Sequence, residues 1–182
     1  MPRTSTAAPR RKILRLARIV SGGQTGVDRA ALDAAIALEI PHGGWCPRGR
    51  LAEDGPIDAR YELSETEQTD YRFRTECNVV DSDGTLLIYH RHLTGGTGLT
   101  YELTQRYQRP CFLVDVAKRV SLPLILGWLK EHFIETLNVA GPRESTQRGI
   151  YRRSYRLMSE LLANVPKRRR RVRESIRGNQ RR

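Results

Sequence analysis

The sequence predicts an α/β fold of the Rossmann-like, doubly wound class, with a mostly parallel sheet of five or more strands and helices on both faces. Short, continuous apolar runs alternate with segments of helical periodicity. Continuous apolar runs are typical of strands that are buried on both faces of a parallel sheet. Glycine-rich loops follow three of these runs, at the junctions where such sheets bind ligands.

Five apolar runs predict the strands, at residues 16–20, 40–45, 85–89, 111–116 and 137–140. Apolar residues at helical spacing predict helices at residues 27–38 and 122–133. The segment "SETE", which begins at Ser64, has capping-box spacing and predicts a helix that continues toward Val80. Further helices are expected after the third strand and over residues 145–162. Strands that alternate with helices imply right-handed crossovers in an open sheet.

The chain of 182 residues is long enough for one well-buried domain. We predict a basic arm over residues 1–15, a ligand-binding domain over 16–164 and an arginine-rich tail over 165–182. No apolar stretch approaches a membrane span and no signal-peptide pattern is visible, so a cytoplasmic protein is expected. Cys46, Cys77 and Cys111 lie far apart without CxxC spacing, so neither a disulfide framework nor a metal site is predicted.

The net charge of +12 is concentrated at the two ends of the chain. Residues 1–18 carry +6, residues 167–182 carry +8, and the rest of the chain carries −2. The ends either keep the protein soluble or bind RNA, DNA or another polyanion through phosphate contacts. Both interpretations stay open. The candidate nucleic-acid contacts are Arg10, Arg11, Lys12, Lys167, Arg168, Arg169, Arg170, Arg171 and Arg173.

Three loops at corresponding strand ends carry the glycines: "SGGQTG" at residues 21–26, "HRHLTGGTG" at 90–98 and "AGPRES" at 140–145. A helix is expected after each, so three helix amino termini would converge on one edge of the sheet. Such termini favour phosphate or another anion. The first loop is GGxxG rather than GxGxxG, and it lacks the lysine of a P-loop. Classical NAD binding and ATP hydrolysis are therefore disfavoured.

Seven blocks stand in order across residues 18–163: "SGGQTGVDRAALDAAI", "GGWCPRGRLAEDGPI", "YELSE", "RTECNV", "SDGTLLIY", "TGGTGLTYEL" and "LNVAGPRES". Together they resemble the molybdenum cofactor carrier family. That family is similar to the wider Lonely Guy and SMF/DprA-like Rossmannoid group, many of whose members bind nucleotides. The resemblance implies a protein that holds molybdenum cofactor, or a related phosphorylated heterocycle, without turning it over. A homo-oligomer is also expected.

The resemblance also implies a set of ligand-binding residues. One phosphate cradle follows the first strand and a second follows the third, while residues after the fifth strand border them and Arg48 lies at the edge of the cleft beside Trp45 and Cys46. Asp28 is close enough to the first loop to contact a ligand hydroxyl. The set is Gly22, Gly23, Gln24, Thr25, Gly26, Asp28, Arg48, Gly95, Gly96, Thr97, Gly98, Arg143, Glu144 and Ser145.

Two other functions stay open. Lonely Guy phosphoribohydrolases carry a PGGxGTxxE motif preceded by an arginine, and they cut the N-glycosidic bond of nucleoside monophosphates. Here "TGGTGLTYE" keeps Glu102 in register with the glutamate of the motif, and Arg74 corresponds to the preceding arginine. Thr94 and Leu99 depart from the proline and the threonine of the motif. Glu102 is then either a catalytic carboxylate or a helix acid that complements the dipole. The third hypothesis is a non-catalytic, RNA-associated protein that uses the basic arms.

Overall fold

The structure is a computed structural model that describes residues 14–166. Residues 1–13 and 167–182 of the predicted arms, with all nine basic residues named for them, therefore lie outside the described residues. In chain order the elements are β1 (Arg18–Val20), α1 (Val27–Ala37), β2 (His42–Gly43), β3 (Trp45–Cys46), β4 (Leu51–Ala52), β5 (Gly55–Pro56), β6 (Ser64–Glu65), α2 (Tyr71–Val80), β7 (Gly84–Tyr89), α3 (Gly95–Arg106), β8 (Cys111–Asp115), α4 (Leu122–Glu131), β9 (Thr136–Ala140) and α5 (Ile150–Ala163).

The main sheet has five strands in the order β2-β1-β9-β7-β8, and every neighbouring pair is parallel. This arrangement confirms the predicted fold class. The last strand, β9, lies between β1 and β7, with Leu137 opposite both Ile19 and Gly84. Because the three strands are parallel neighbours, the loops that leave their carboxyl ends are neighbours too. These are the three glycine-bearing loops.

Helices cover both faces of this sheet. α1, α4 and α5 share one hydrophobic core with the sheet residues Ile19, Leu86, Ile88, Leu137 and Val139. Side chains alternate between the two faces along a strand, so Leu87 and Asn138 face the other side. α3 contacts β7 there, and α2 packs beside α3. No helix in residues 14–166 combines the length and the apolar character that a membrane span requires.

A small lobe packs on the outer side of α1. β3 pairs with β6, and β4 and β5 form a hairpin. Its apolar cluster consists of Leu32 of α1 with Cys46, Ile57, Tyr61 and Leu63. The lobe also touches the first glycine loop, because a Cβ added to Gly23 would lie 2.5 Å from Leu63. The loop after β1 is therefore held between the main sheet and the small lobe.

The predicted strand at residues 40–45 is interrupted at Gly44. Its φ of +124° ends β2, and the chain then enters β3 in the small lobe. A Cβ at Gly44 would lie 2.2 Å from the carbonyl oxygen of Ser21, so the close approach also requires glycine here. The apolar run thus forms two short strands that belong to different sheets, instead of one continuous strand.

The prediction of a helix that starts at Ser64 is wrong. Ser64 and Glu65 form β6, in which the Ser64 amide donates to Gly44 at 2.9 Å. The helix begins at Tyr71, and the carboxylate of its N-cap residue Asp70 accepts from the Arg72 amide at 2.8 Å. Pairing with β3 therefore overrides the local capping-box pattern. The last helix also begins later than predicted, at Ile150 instead of residue 145.

Candidate functional site

A cavity of about 260 Å³ lies at the carboxyl edge of the sheet, on the face that carries α2 and α3. Residues of all three glycine-bearing loops line it, together with side chains from α2. Eight predicted residues meet there: Gly22, Gln24, Asp28, Arg74, Gly95, Gly96, Thr97 and Arg143. The sheet order produces this convergence, because it places β9 between β1 and β7.

The amino terminus of α3 forms one wall of the cavity. Its N-cap residue Thr94 has an extended backbone and provides no side-chain cap. Gly95 has a φ of +53°, and a Cβ added at Gly95 or Gly96 would meet no atom within 4 Å. The first amides of a helix have no partner within that helix and lie at its positive end. The glycines therefore leave room for an anion beside these amides.

Of the three helices that follow the glycine-bearing loops, all within the described residues 14–166, α3 is the one whose first amides are free at the cavity. At α1, the Val27 amide donates to the carbonyl oxygen of Pro142 at 3.2 Å. At α5, the carboxylate of Glu144 accepts from the amides of Gly149 and Tyr151, at 2.5 and 2.9 Å. The expected convergence of three helix amino termini is thus reduced to one. At the other two ends, protein oxygens already accept from the amides of Val27, Gly149 and Tyr151.

A buried ion pair forms another part of the wall. Arg74 Nη1 lies 3.2 Å from Asp28 Oδ2, and the two side chains are 13% and 5% exposed. The amide of Gln24 also donates to this carboxylate at 3.3 Å. Burial raises the pKa of Asp28, and the charge and hydrogen bond of Arg74 offset part of that rise. The pair therefore brings little net charge into the cavity.

Two buried donors of cavity-lining residues have no hydrogen-bond partner within residues 14–166: Nε2 of Gln24 and Nε of Arg74. Gln24 is 3% exposed. Its Oε1 accepts from the amides of Thr25 and Glu53, at 3.0 and 2.9 Å. Leaving a buried donor unpaired costs about 1–3 kcal/mol. Gln24 and Arg74 both line the cavity, and these two nitrogens are buried beneath its surface.

Arg143 supplies positive charge at the cavity. Its guanidinium lies 4.9 Å from the centre of the Tyr71 ring, so the two side chains join the β9 loop to the start of α2. This is a cation–π distance. Arg143 and the first turn of α3 are the positive groups of the cavity that Asp28 does not neutralise.

Several predicted residues lie outside the lining of this cavity. Thr25, Gly26 and Glu144 line a separate recess with Asp33. Ser145 donates to Glu53, and Arg48 is exposed, with its amide bonded to Gln68 at 3.0 Å. Gly23 and Gly98 are also absent from the lining, although they belong to loops that contribute to it.

Glu102 is exposed on α3, about two turns beyond Gly95, and does not line the cavity. Asp28 is the residue whose carboxylate lines the cavity. The sequence analysis missed Tyr71, Asn78 and Asn138, which all line the cavity. Asn78 follows Arg74 by four residues, so the two share one face of α2. Asn138 lies on the face of β9 that α2 and α3 cover.

The structure offers no metal centre within residues 14–166, where no three His, Cys, Asp or Glu side chains are grouped to hold an ion. Cys46 is fully buried. Burial raises the pKa of its thiol, so the reactive thiolate is disfavoured. A role as a small apolar core residue fits this environment, since Cys46 packs in the cluster of the small lobe.

Comparison with known proteins places the chain in a family. Residues 19–162 match the model of the circularly permutated YpsA SLOG family. The chain belongs to this family. The match spans the whole main sheet except the first residue of β1 and includes every residue that lines the cavity. The family's fold, rather than a single motif, is therefore what the sequence shares.

A solved structure supports the same assignment. It is the crystal structure of a protein from Syntrophus aciditrophicus SB named "Putative molybdenum carrier protein", with 47% sequence identity and a TM-score of 0.78. The match covers 81% of this chain and 95% of the other. A search of curated proteins finds no match. The resemblance seen in the sequence blocks is thus confirmed at the level of family and fold.

Proposed function

We propose that this protein binds and carries a phosphorylated small molecule in the cavity between α2 and α3, and that its cargo is molybdenum cofactor. The observation that carries the proposal is the pair of unpartnered, buried donors on Gln24 and Arg74. Both belong to residues that line the cavity, as does the open first turn of α3. A ligand with several acceptors and a negative charge satisfies all of these groups.

The groups around the cavity fit the two ends of such a cargo. The amides of Gly95 and Gly96 and the charge of Arg143 suit its terminal phosphate. The donors of Gln24 and Arg74 suit acceptors on its heterocycle. Ligand pockets usually measure about 300–1,000 Å³. At about 260 Å³ the cavity encloses part of a mononucleotide-sized molecule and leaves the rest at its opening.

The arrangement supports holding the cargo rather than hydrolysing it. The hydrolase hypothesis relied on Glu102, which is exposed and outside the cavity. The carboxylate inside is that of Asp28, and it is engaged by Arg74 and by the amide of Gln24. A general base must be free to reach the proton that it abstracts. We therefore favour a carrier over an N-glycosidase.

The test is what the purified full chain contains and binds. Mass spectrometry for molybdenum and fluorescence of the oxidised pterin would identify copurified cofactor. Calorimetry with inorganic phosphate, GMP and AMP would measure binding of phosphorylated probes. We expect copurified pterin and molybdenum, and tighter binding of GMP than of inorganic phosphate. A folded chain that carries no pterin and binds none of the three probes would contradict the proposal.

A further inference from the structure

The tip of the β4–β5 hairpin holds together two loops that line the cavity. The carboxylate of Glu53 accepts from the hydroxyl of Thr25, which lies in the loop after β1. The same carboxylate accepts from the hydroxyl of Ser145 and, at 3.3 Å, from its amide, in the loop after β9. Burial opposes ionisation, but these hydrogen bonds and the charge of Arg143 lower the pKa of Glu53. Glu53 is thus a clasp between loops far apart in sequence.

The main chain of Glu53 also fixes the amide of Gln24. Its N–H donates to Gln24 Oε1 at 2.9 Å, and the Thr25 N–H donates to the same oxygen at 3.0 Å. If the amide were flipped, its NH₂ group would face two N–H donors and both hydrogen bonds would be lost. The carbonyl end is therefore anchored at the clasp. The unpartnered Nε2 is the other end of the amide, buried in a residue that lines the cavity.

We propose that Glu53 is a positioning residue that makes Gln24 a specificity-determining donor. By clasping the two loops, Glu53 keeps its own N–H and that of Thr25 on Gln24 Oε1, so that only the NH₂ end of the amide is offered to a ligand. The cavity then selects molecules that bring a hydrogen-bond acceptor to this point. The selection rests on the proposed ligand site, whereas the orientation of Gln24 exists without a ligand.

Ligand-free crystal structures test the positioning directly. In Glu53→Ala the clasp is lost, and we expect the Gln24 amide to rotate or to occupy several orientations. Asp54→Ala is the matched control, because Asp54 is adjacent on the hairpin but pairs with Arg29, whose Nη2 donates to it at 2.7 Å. In this variant the Gln24 amide should stay in place. An unchanged Gln24 amide in Glu53→Ala would overturn the proposal, whatever the protein binds.

A double-mutant cycle with GMP tests the selection. Gln24→Leu removes the donor and should weaken GMP binding about tenfold. Gln24→Glu keeps an oxygen at the clasp but turns an acceptor toward the cavity, so it should weaken binding further. Glu53→Ala should weaken binding in the wild-type background and have no effect in Gln24→Leu, because both changes act through one donor. Equal losses in both backgrounds would overturn the proposal.

The two experiments separate this inference from the proposed function. If the wild-type chain carries no pterin and binds none of inorganic phosphate, GMP and AMP, the proposed function fails. The crystal structures still decide whether Glu53 orients Gln24. If GMP binds but Gln24→Leu and Gln24→Glu bind it as tightly as the wild type does, the ligand site stands and the inference fails.

Discussion

Arg74 Nη1 lies 3.2 Å from Asp28 Oδ2, and the space that holds this contact exists because residue 22 is glycine. A Cβ at Gly22 would lie 1.4 Å from the same nitrogen and 2.9 Å from the carboxylate. The glycine that appears in sequence as part of a phosphate cradle therefore has a second role. It allows a buried ion pair between α1 and α2, and this pair shapes the wall of the cavity.

Gly22→Ala should displace the guanidinium of Arg74 from Asp28. A buried carboxylate that loses its partner destabilises the fold, so we expect the free energy of unfolding to fall by about 1–3 kcal/mol. Urea denaturation measures the change. The matched control is Gly96→Ala, because a Cβ there meets no atom within 4 Å. A Gly22→Ala chain as stable as the wild type would show that the pair adds nothing to stability.

The pH dependence of stability should carry the signature of Asp28. Burial raises its pKa in the folded state above the ordinary value of 3.8, with Arg74 opposing part of the rise. Between the unfolded and the folded pKa of Asp28, the folded chain binds more protons than the unfolded chain does. The contribution of Asp28 to stability therefore falls as pH rises through the folded pKa. Urea midpoints of the wild type and Asp28→Asn across this window measure it. We expect the urea midpoint of the wild type to fall relative to that of the variant as pH rises. The opposite trend would mean that Arg74 outweighs burial.

Gly96→Leu should block the cavity and leave the fold intact. A side chain at this position meets open space beside the first turn of α3, and leucine favours a helix more than glycine does. We expect GMP affinity to fall at least about tenfold with no loss of thermal stability. Gly127→Ala is the control, since it replaces an exposed helical glycine in α4, outside the cavity lining, and should leave binding unchanged.

Gly23 is unsuitable for the same experiment, although it belongs to the predicted ligand-binding set. Its φ is +74°, and a Cβ there would lie 2.5 Å from Leu63. Substitution at Gly23 should therefore destabilise the contact between the first loop and the small lobe. A thermal melt of Gly23→Leu would show this as a lower midpoint than that of Gly96→Leu.

The chain should release little or no free base from nucleoside monophosphates. Thr94 and Leu99 depart from the phosphoribohydrolase motif, and Glu102 is exposed outside the cavity. Chromatography of AMP and GMP after incubation with the full chain measures free adenine and guanine. Efficient release that disappears in Glu102→Gln would contradict the carrier proposal.

The basic arms remain a prediction from sequence. If residues 1–12 and 167–182 bind RNA, affinity should fall steeply with salt because phosphate contacts release counterions. A chain without both arms should then lose RNA binding and keep its affinity for GMP. Filter binding at several salt concentrations measures the first and calorimetry the second. If the full chain does not bind RNA even at low salt, the arms have only a solubilising role.

The sequence by itself determined the fold class and the edge of the sheet at which the cavity lies. Continuous apolar runs predict buried parallel strands because a strand covered on both faces needs apolar residues at every position. Three of the runs lead into glycine-bearing loops, and parallel strands bring their carboxyl ends to one edge. The convergence of Gly22, Gly96 and Arg143 could therefore be predicted from local patterns.

Tertiary structure alone decided which side chains face the cavity. Periodicity is a local property, whereas the order of the strands depends on pairing between residues more than a hundred positions apart, such as Ile19 and Leu137. Thr25 is likewise more than a hundred positions away in sequence from Glu144 and Ser145, although their loops meet at Glu53. Glu102 fell outside the cavity and Asp28 inside it because helix packing sets the direction of each side chain, and no local spacing encodes that direction.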